Sequence, residues 1–363
     1  MSKYQIPELP LSIDLETKPI LKQLNSANRQ LAELKGMVQS IPNEAILINT
    51  LSLQEAKDSS EVENIVTTHD ELFKSELSVG SYIASAAAKE VMNYRQAIQE
   101  GFNLVRQNKI LTNNIIKQIQ GILVENRAGF RSVPGTELKN QLGETIYSPP
   151  QNGLDVENYM NQLETFINTP ELCDWDPLIK LAVIHHQFES IHPFYDGNGR
   201  TGRIISILLL VTNNLLNLPV LYLSRYIIHN KSEYYRLLQA IRENEDNEKD
   251  WQNWVMFILK GIEITARNAI GMVVSIRNLM QEYKAVLRPL FGRQYKHDLL
   301  NHLFSQPYTK IDFMCNALQI QRTTAAKYLE AIVSTGLLKK VRVWRTNYYI
   351  NTKLLMILMH PEG

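Results

Sequence analysis

Residues 192–203 read His-Pro-Phe-Tyr-Asp-Gly-Asn-Gly-Arg-Thr-Gly-Arg, and the pattern on both sides of them is helical. Before them, residues 177–191 repeat apolar side chains with a period close to 3.6, which is typical of an α-helix. After them, residues 204–210 are almost entirely apolar. The sequence therefore predicts a helix, a tight glycine-containing loop and a second, buried helix.

The loop has the composition of a polyphosphate-binding site. Gly197 and Gly199 allow positive φ angles and a close approach of the backbone to a ligand. Backbone amides at the start of the following helix, with the helix dipole behind them, attract an anion. Arg200 and Arg203 lie one turn apart, where both guanidinium groups can bind phosphate oxygens. A nucleotide site is therefore predicted.

Two further side chains of the loop suit catalysis. Asp196 offers a hard carboxylate oxygen for Mg²⁺, an ion that usually arrives with the phosphates. His192 has an ordinary pKa that suits proton transfer near neutral pH. Any one of these residues alone would also fit a polar loop with a glycine cap and surface arginines. The complete set argues against that alternative.

The segment resembles the signature of the Fic proteins, His-x-Phe-x-Asp/Glu-Gly-Asn-Gly-Arg-x-x-Arg, at every defined position. The resemblance covers about residues 15–265 and implies a mainly α fold, in which a Fic helical core carries a short β-hairpin flap. It further implies an N-terminal helical region with an inhibitory helix at residues 1–100 and a catalytic core at residues 101–275. A separate C-terminal unit is predicted at residues 290–363.

The resemblance implies transfer of AMP from ATP to a Ser, Thr or Tyr hydroxyl of a target protein, with Mg²⁺ present. His192 would take the hydroxyl proton, and Asp196 would hold the metal. Asn198 and the loop amides would stabilise charge on the phosphate, and Tyr234 would stack on the adenine. The nucleotide-binding residues would be Gly197, Asn198, Gly199, Arg200, Thr201, Gly202, Arg203 and Tyr234.

Residues 59–64 read Ser-Ser-Glu-Val-Glu-Asn and fit the Fic inhibitory pattern Ser/Thr-x-x-x-Glu-Gly/Asn. By this resemblance, Glu63 would pair with Arg203 and keep that arginine from the terminal phosphate, so the protein would be autoinhibited. Taken by themselves, the same residues have a second interpretation. Asp58 or Ser59 would cap a helix whose first turn carries the glutamates.

Prolines and glycines exclude a long helix over residues 130–150 and predict a short hairpin. In Fic proteins such a hairpin docks the target segment as an added strand. Residues 143–147 are the best candidate for that edge. The alternative is a surface hairpin with no partner.

The C-terminal unit is predicted to contain three short helices, at residues 297–304, 311–318 and 323–334, followed by two strands. This order resembles a winged helix-turn-helix. Its basic residues could contact DNA phosphates, and the alternative is a dimerisation or protein-binding module. These basic residues are Arg322, Lys327, Lys339, Lys340, Arg342 and Arg345.

A helix over residues 250–266 and a longer one over residues 269–288 are predicted to lead into this unit. The longer helix is expected to stop because Pro289 follows it. His185 and His186, on the helix before the signature, are predicted to be packed or hydrogen-bonded rather than metal ligands, because no further ligand lies at a recognisable spacing.

The 363 residues allow two or three domains. A net charge of +1 excludes general attraction to nucleic acid or membranes, although a local basic patch remains open. Cys173 and Cys315 show no metal-binding or redox spacing. The N-terminus lacks the apolar stretch of a signal peptide, and no apolar run is long enough for a bilayer, so a cytoplasmic location is expected.

Other functions remain open at this stage. A Fic relative could transfer a different phosphate-linked group, or remove AMP from a protein with Glu63 positioning a water molecule. A nucleotide-sensing DNA-binding regulator is an alternative from another class. The target protein and the oligomeric state are not specified by the sequence, although a homodimer is compatible with it.

Overall fold

The computed structural model describes residues 4–68, 71–72, 85–140, 142–244, 248–343 and 346–359. None of the helices in these ranges is both long and apolar enough to cross a membrane. The α-helices are α1 (Lys18–Val38), α2 (Glu44–Val62), α3 (Ala86–Asn108), α4 (Asn113–Val124), α5 (Gly153–Asn168), α6 (Pro177–Ile191), α7 (Asn198–Thr212), α8 (Leu223–His229), α9 (Lys231–Glu243), α10 (Glu248–Phe291), α11 (His297–Ser305), α12 (Ile311–Leu318), α13 (Arg322–Ser334) and α14 (Thr352–Met359). Short 3₁₀ helices lie at Pro170–Leu172 and Gly292–Gln294.

The strands form two small antiparallel sheets. Strands β1 (Leu138–Lys139) and β2 (Thr145–Tyr147) make the predicted hairpin. In the C-terminal unit, β3 (Tyr308–Thr309), β4 (Lys339–Val343) and β5 (Thr346–Ile350) form a sheet with the order β3-β5-β4. The mainly α fold with a short hairpin is thus confirmed, whereas the assignment of the last unit to the winged-helix class stays a prediction.

Helices α6 and α7 lie at the centre of the core and pack on one another. Asp176 caps α6, because its side chain accepts a hydrogen bond from the Leu178 amide (2.8 Å). The helix stops at Ile191, since His192 takes a left-handed conformation (φ 49°) and Pro193 has no N–H to donate. The loop that follows therefore begins and ends inside the protein.

The C-terminal end of helix α2 carries the residues of the predicted inhibitory pattern, and it lies next to this loop. It packs against α3 and α8, and its last residues before the C-cap Glu63 include Asp58 and Ser59. The interpretation of Asp58 or Ser59 as the start of a helix is wrong, because the helix begins at Glu44. Its N-cap is Asn43, whose side chain accepts from the amide of Ala45.

Helix α10 is one continuous helix of 44 residues, so the two separate helices predicted for this region are wrong. Arg267 and Asn268 do not break it, and Pro289 lies inside its last turn. Proline in a helix costs about 3 kcal/mol. Packing against α1 on one side and against α11 and α14 on the other offsets that cost. The helix crosses the predicted boundary between the core and the C-terminal unit.

Tyr283 on α10 anchors the C-terminal unit. Its side chain is fully buried, and its hydroxyl lies 2.5 Å from the Leu337 carbonyl oxygen and 2.7 Å from Asn351 Oδ1. Its ring meets Phe304 edge-on, with 5.1 Å between the ring centroids. The hydroxyl therefore satisfies polar groups in the interior that water does not reach.

The change Tyr283→Phe tests this anchor. We expect it to lower the free energy of unfolding by about 1–2 kcal/mol, because a buried acceptor loses its donor. The loss should appear as faster amide hydrogen exchange in α11, α12 and α13. Tyr295→Phe is the matched control, since the Tyr295 hydroxyl is buried with no hydrogen-bond partner among the described residues. Equal destabilisation by both changes would contradict the assignment.

Candidate active site

Asn198 holds the loop between α6 and α7 closed. Its Oδ1 accepts from the Phe194 amide (2.8 Å), and its Nδ2 donates to the Phe194 carbonyl (2.8 Å). The side chain is only 3% exposed, and both its carbonyl oxygen and its NH₂ group are bonded to Phe194, so it braces the loop. The predicted role of Asn198 in stabilising phosphate charge stays a prediction.

Gly197 and Gly199 are required for different structural reasons. Gly197 has φ 78°, and a Cβ built there would lie 2.9 Å from the Val124 side chain, so both conformation and space require glycine. A Cβ on Gly199 would lie 2.2 Å from Glu63 Oε1. The carboxylate of Glu63 therefore rests against the N-terminus of α7, where the sequence predicts that an anion binds.

Arg203 is the partner of that carboxylate. The Arg203 side chain is 1% exposed, and its Nη2 lies 2.9 Å from Glu63 Oε1. It also donates to the Ser59 hydroxyl (2.7 Å, from Nε) and to the Ser59 carbonyl (3.0 Å, from Nη2). Burial alone would raise the pKa of Glu63, but Arg203 holds this pKa below its ordinary value. The pair expected from the sequence pattern is thus present and ionised.

Asn64 explains the last position of the inhibitory pattern. It has φ 64°, directly after the C-cap of α2. Glycine and asparagine tolerate this left-handed conformation best. The side chain of Asn64 also accepts a hydrogen bond from Lys231 Nζ (2.8 Å). The helix therefore ends at the point where Glu63 can turn towards Arg203.

Arg200 already has an acidic partner as well. It is 5% exposed by its side chain, and its Nη1 lies 2.7 Å from Oε2 of Glu90 on α3. Thr201 is fully buried, and a Cβ on Gly202 would meet a carboxylate oxygen of Glu189 at 2.7 Å. Gly202 thus packs against α6, and both arginines are paired with carboxylates from the N-terminal helices.

Asp196 is exposed, as is the neighbouring Tyr195, with 75% of the Asp196 side chain accessible. Its Oδ1 accepts from the Gly197 amide (2.6 Å), and Gln120 Nε2 donates to its backbone carbonyl (3.1 Å). The loop is therefore fixed while the carboxylate faces solvent. A hard oxygen donor in that position suits Mg²⁺, whose other ligands would be mostly phosphate oxygens and water.

His192 lies at the C-terminal end of α6 with its Nδ1 buried and without a hydrogen-bond partner among the described residues. Burial, together with the charges of Arg242 and Arg131, lowers the pKa of this imidazole to about 4. The ring is therefore neutral at pH 7, which is the form that accepts a proton. Arg131 and Arg242 were not assigned from the sequence, because they lie far from the signature along the chain and belong to no motif.

The structure contradicts the prediction that Tyr234 stacks on a base. Its ring is 1% exposed and packs against Trp254, with 5.7 Å between the centroids. Its hydroxyl lies 2.8 Å from Nε2 of His185, whose Nδ1 contacts the Ser206 hydroxyl (2.9 Å). Tyr234 is a core residue with a satisfied hydroxyl. The neighbouring Tyr235 is the exposed ring, at 41%.

The hairpin places Ile146 in the middle of β2, within the edge predicted to dock a target. The Ile146 carbonyl accepts from Gln239 Nε2 (3.0 Å), so one edge group is already bonded. Leu142, between the strands, is 82% exposed. An apolar side chain so open to solvent suits contact with another chain.

The basic residues of the C-terminal unit are partly neutralised. Arg322 forms an ion pair with Asp312, and Lys340 lies 2.5 Å from Glu330. Arg345 lies outside the described residues. The described part of the patch is thus less positive than the sequence suggests, which weakens the case for DNA binding.

Family models of known proteins match three parts of the chain. The model described as Fic/DOC family N-terminal matches residues 21–103, and the one described as Fic/DOC family matches residues 110–210. A third, described as Protein adenylyltransferase SoFic-like, C-terminal domain, matches residues 279–354. The two Fic/DOC models together span more than half of the chain.

One relative is a probable protein adenylyltransferase of Aquifex aeolicus, which is 27% identical to this chain over 203 residues. The matched part covers 55% of this chain and 57% of that protein. Another is Protein adenylyltransferase Fic of Aedes aegypti, 32% identical over 205 residues, which are 51% of this chain and 38% of that protein. The chain thus spans between about a third and three fifths of the length of these relatives.

Two solved structures share the fold. A Fic family protein from Desulfovibrio desulfuricans G20 has a TM-score of 0.56 at 17% identity and covers 94% of this chain and 97% of its own. Fic-1 (residues 134–508) from Caenorhabditis elegans has a TM-score of 0.52 at 18% identity, covering 70% of this chain and 72% of its own. From its signature loop, its fold and the two matching models, the chain belongs to the Fic/DOC family.

Proposed function

We propose that this protein is an adenylyltransferase that moves AMP from ATP to a Ser, Thr or Tyr hydroxyl of a target protein. One observation carries the proposal: a neutral imidazole at the end of α6 adjoins a glycine turn, which is followed by a buried arginine that pairs with the Glu63 carboxylate. The names of the relatives support the same reaction.

His192 acts as the general base. It removes the proton from the acceptor hydroxyl, and the oxygen attacks the α-phosphorus in line while the bond to pyrophosphate breaks. The proton ends on the imidazole. Because the ring is neutral before the reaction, no separate deprotonation step precedes the attack.

The start of α7 binds the phosphates. Its backbone amides, together with Arg203 and Arg200, offer a site of positive potential for the outer phosphate oxygens. Asp196 is the residue that would hold Mg²⁺. The ion supplies charge neutralisation of the phosphates when it is bound with ATP. Tyr235, rather than Tyr234, has an exposed ring for stacking on the adenine.

Glu63 inhibits the transfer. Its carboxylate occupies the face of Gly199 and binds the guanidinium of Arg203, so the terminal phosphate would have to replace it. A phosphate carries more charge than a carboxylate and can form a bidentate contact with a guanidinium. Displacement of Glu63 is therefore the step that controls productive ATP binding.

A second reaction has an observation in its favour. Glu63 is ionised and close enough to His192 to affect the pKa of that imidazole, so it could instead orient a water molecule for removal of AMP from a modified protein. The two reactions differ in the effect of losing Glu63, because transfer would increase and removal would stop. DNA binding and dimerisation by the C-terminal unit are further possibilities with less support.

The change His192→Ala tests the base. With α-labelled ATP and a cell lysate as the source of targets, we expect it to reduce labelling of protein by about 10²–10⁴-fold, since proton removal from the hydroxyl is lost. Calorimetry should show that ATP binding is kept, because the imidazole does not bind the outer phosphates. A variant that labels protein at the parent rate would exclude His192 as the base.

The change Glu63→Gly tests autoinhibition. We expect labelling to rise by about tenfold or more, because Arg203 loses a charged competitor for the phosphate. Glu61→Gly is the matched control: it places the same residue in the same helical turn, but Glu61 pairs with Lys57 at the surface (3.1 Å). Equal labelling by wild type and Glu63→Gly at every ATP concentration, subsaturating ones included, would contradict the inhibitory role. Loss of AMP removal in Glu63→Gly would favour the second reaction.

A further inference from the structure

The C-terminal end of α6 poses a hydrogen-bonding problem. The last carbonyl groups of a helix have no partner within the helix. Here Pro193 cannot donate to the Glu189 carbonyl, and the Phe194 amide is already bonded to Asn198. The backbone amide of His192 donates to the Phe188 carbonyl (2.9 Å). The carbonyls of residues 189–192 are therefore left without backbone donors at a place that is buried.

Three side chains from other elements supply the missing donors. Arg242 Nη2 donates to the carbonyl of residue 189 (3.1 Å), and the Tyr147 hydroxyl donates to that of residue 190 (2.7 Å). Arg131 donates to the carbonyls of residue 191 (Nη2, 3.2 Å) and of residue 192 (Nε, 2.8 Å). Every one of the four carbonyls is thus capped. We call Arg131, Tyr147 and Arg242 the carbonyl collar.

The collar is a built arrangement rather than a set of surface contacts. Its members are 1%, 7% and 7% exposed, and the guanidinium of Arg242 lies over the ring of Tyr147 at 4.2 Å from the centroid. Arg242 also donates to the Ser190 hydroxyl (3.2 Å). Two cations at the negative end of a helix dipole are favourable. No member of the collar belongs to the signature.

We propose that Arg131, Tyr147 and Arg242 are positioning residues for His192, fixing the left-handed end of α6 and connecting it to the hairpin. The connection follows from where the members lie. Tyr147 is the last residue of β2, and Arg131 precedes β1 and is also bonded through its own amide to the Pro193 carbonyl (2.8 Å). A target strand on the hairpin would thus bind next to the groups that hold the base.

The collar also sets the protonation state of the base. The charged groups that face His192 are Arg242 from α9, Arg131 from the segment before the hairpin, and Glu63 from α2. Burial and the two arginines lower the imidazole pKa, whereas Glu63 and the Glu189 carbonyl raise it. Burial has the largest effect and the two arginines the next largest, so the ring stays neutral well below pH 7. Tyr147 remains a donor, since burial raises its pKa to about 12.

An NMR titration of the histidine ring protons in the full-length protein tests the collar without relying on activity. We expect Arg131→Gln and Arg242→Gln to raise the pKa of His192 by about one pH unit or more, because each removes a nearby positive charge. Arg236→Gln is the control on the same helix as Arg242, since Arg236 is exposed and pairs with Glu233. An unchanged His192 pKa in both collar variants, with native circular dichroism, would overturn the proposal.

Tyr147→Phe gives a second test that preserves both charge and the ring beneath Arg242. It rests on the proposed function, and we measure it in the Glu63→Gly protein. We expect kcat to fall by about three- to tenfold with KM for ATP unchanged, because one carbonyl loses its donor and the base is held less firmly. The His192 pKa should not move. An unchanged kcat would contradict positioning, whereas a parent protein without transferase activity would refute only the proposed function.

Discussion

Two buried helices meet at a loop of six residues, and the buried polar groups of that loop need partners within the protein. Asn198 closes the loop on Phe194, and Gly197 turns the chain where a Cβ would collide with Val124. Side chains from distant elements cap the carbonyls before the loop. Among the buried side-chain polar atoms of residues 192–197, Nδ1 of His192 is the one without a hydrogen-bond partner in the described part of the chain. The bonded groups thus fix the backbone around an imidazole that can accept a proton.

The same reasoning explains the acidic residues around α7. Arg203 and Arg200 are almost completely buried, and a buried guanidinium without a counter-charge is very costly. Glu63 and Glu90 provide that charge. Under the proposed autoinhibition, the carboxylate that blocks Arg203 would therefore also stabilise it. The phosphates of ATP would offer Arg203 the same kind of partner.

Short-range patterns in the sequence predicted the two helices around the signature and the hairpin, and the family resemblance predicted the Glu63–Arg203 pair. The sequence is less informative where packing decides. Tyr234 and Tyr235 are identical in type, and only the position of Trp254 and His185 determines which ring is buried. Asn198 was predicted to bind phosphate because the sequence pattern does not show that its side chain bonds to both the N–H and the C=O group of Phe194. Arg131 and Arg242 are brought to the site by the tertiary structure alone, so no sequence motif predicts their presence there.

If Glu63 inhibits as proposed, the release of Arg203 is constrained by how α2 is held. Most of the helix is buried, and Glu55 within it is bonded to Tyr94 (3.2 Å) and to the Ser224 amide (3.2 Å). Burial raises the pKa of Glu55 to about 8, which shows how little solvent it meets. Withdrawing α2 would break these contacts together. Glu63 is different, since its side chain is 34% exposed and follows the last helical residue. Rotation of the Glu63 side chain would free Arg203 for a phosphate without breaking the contacts of Glu55.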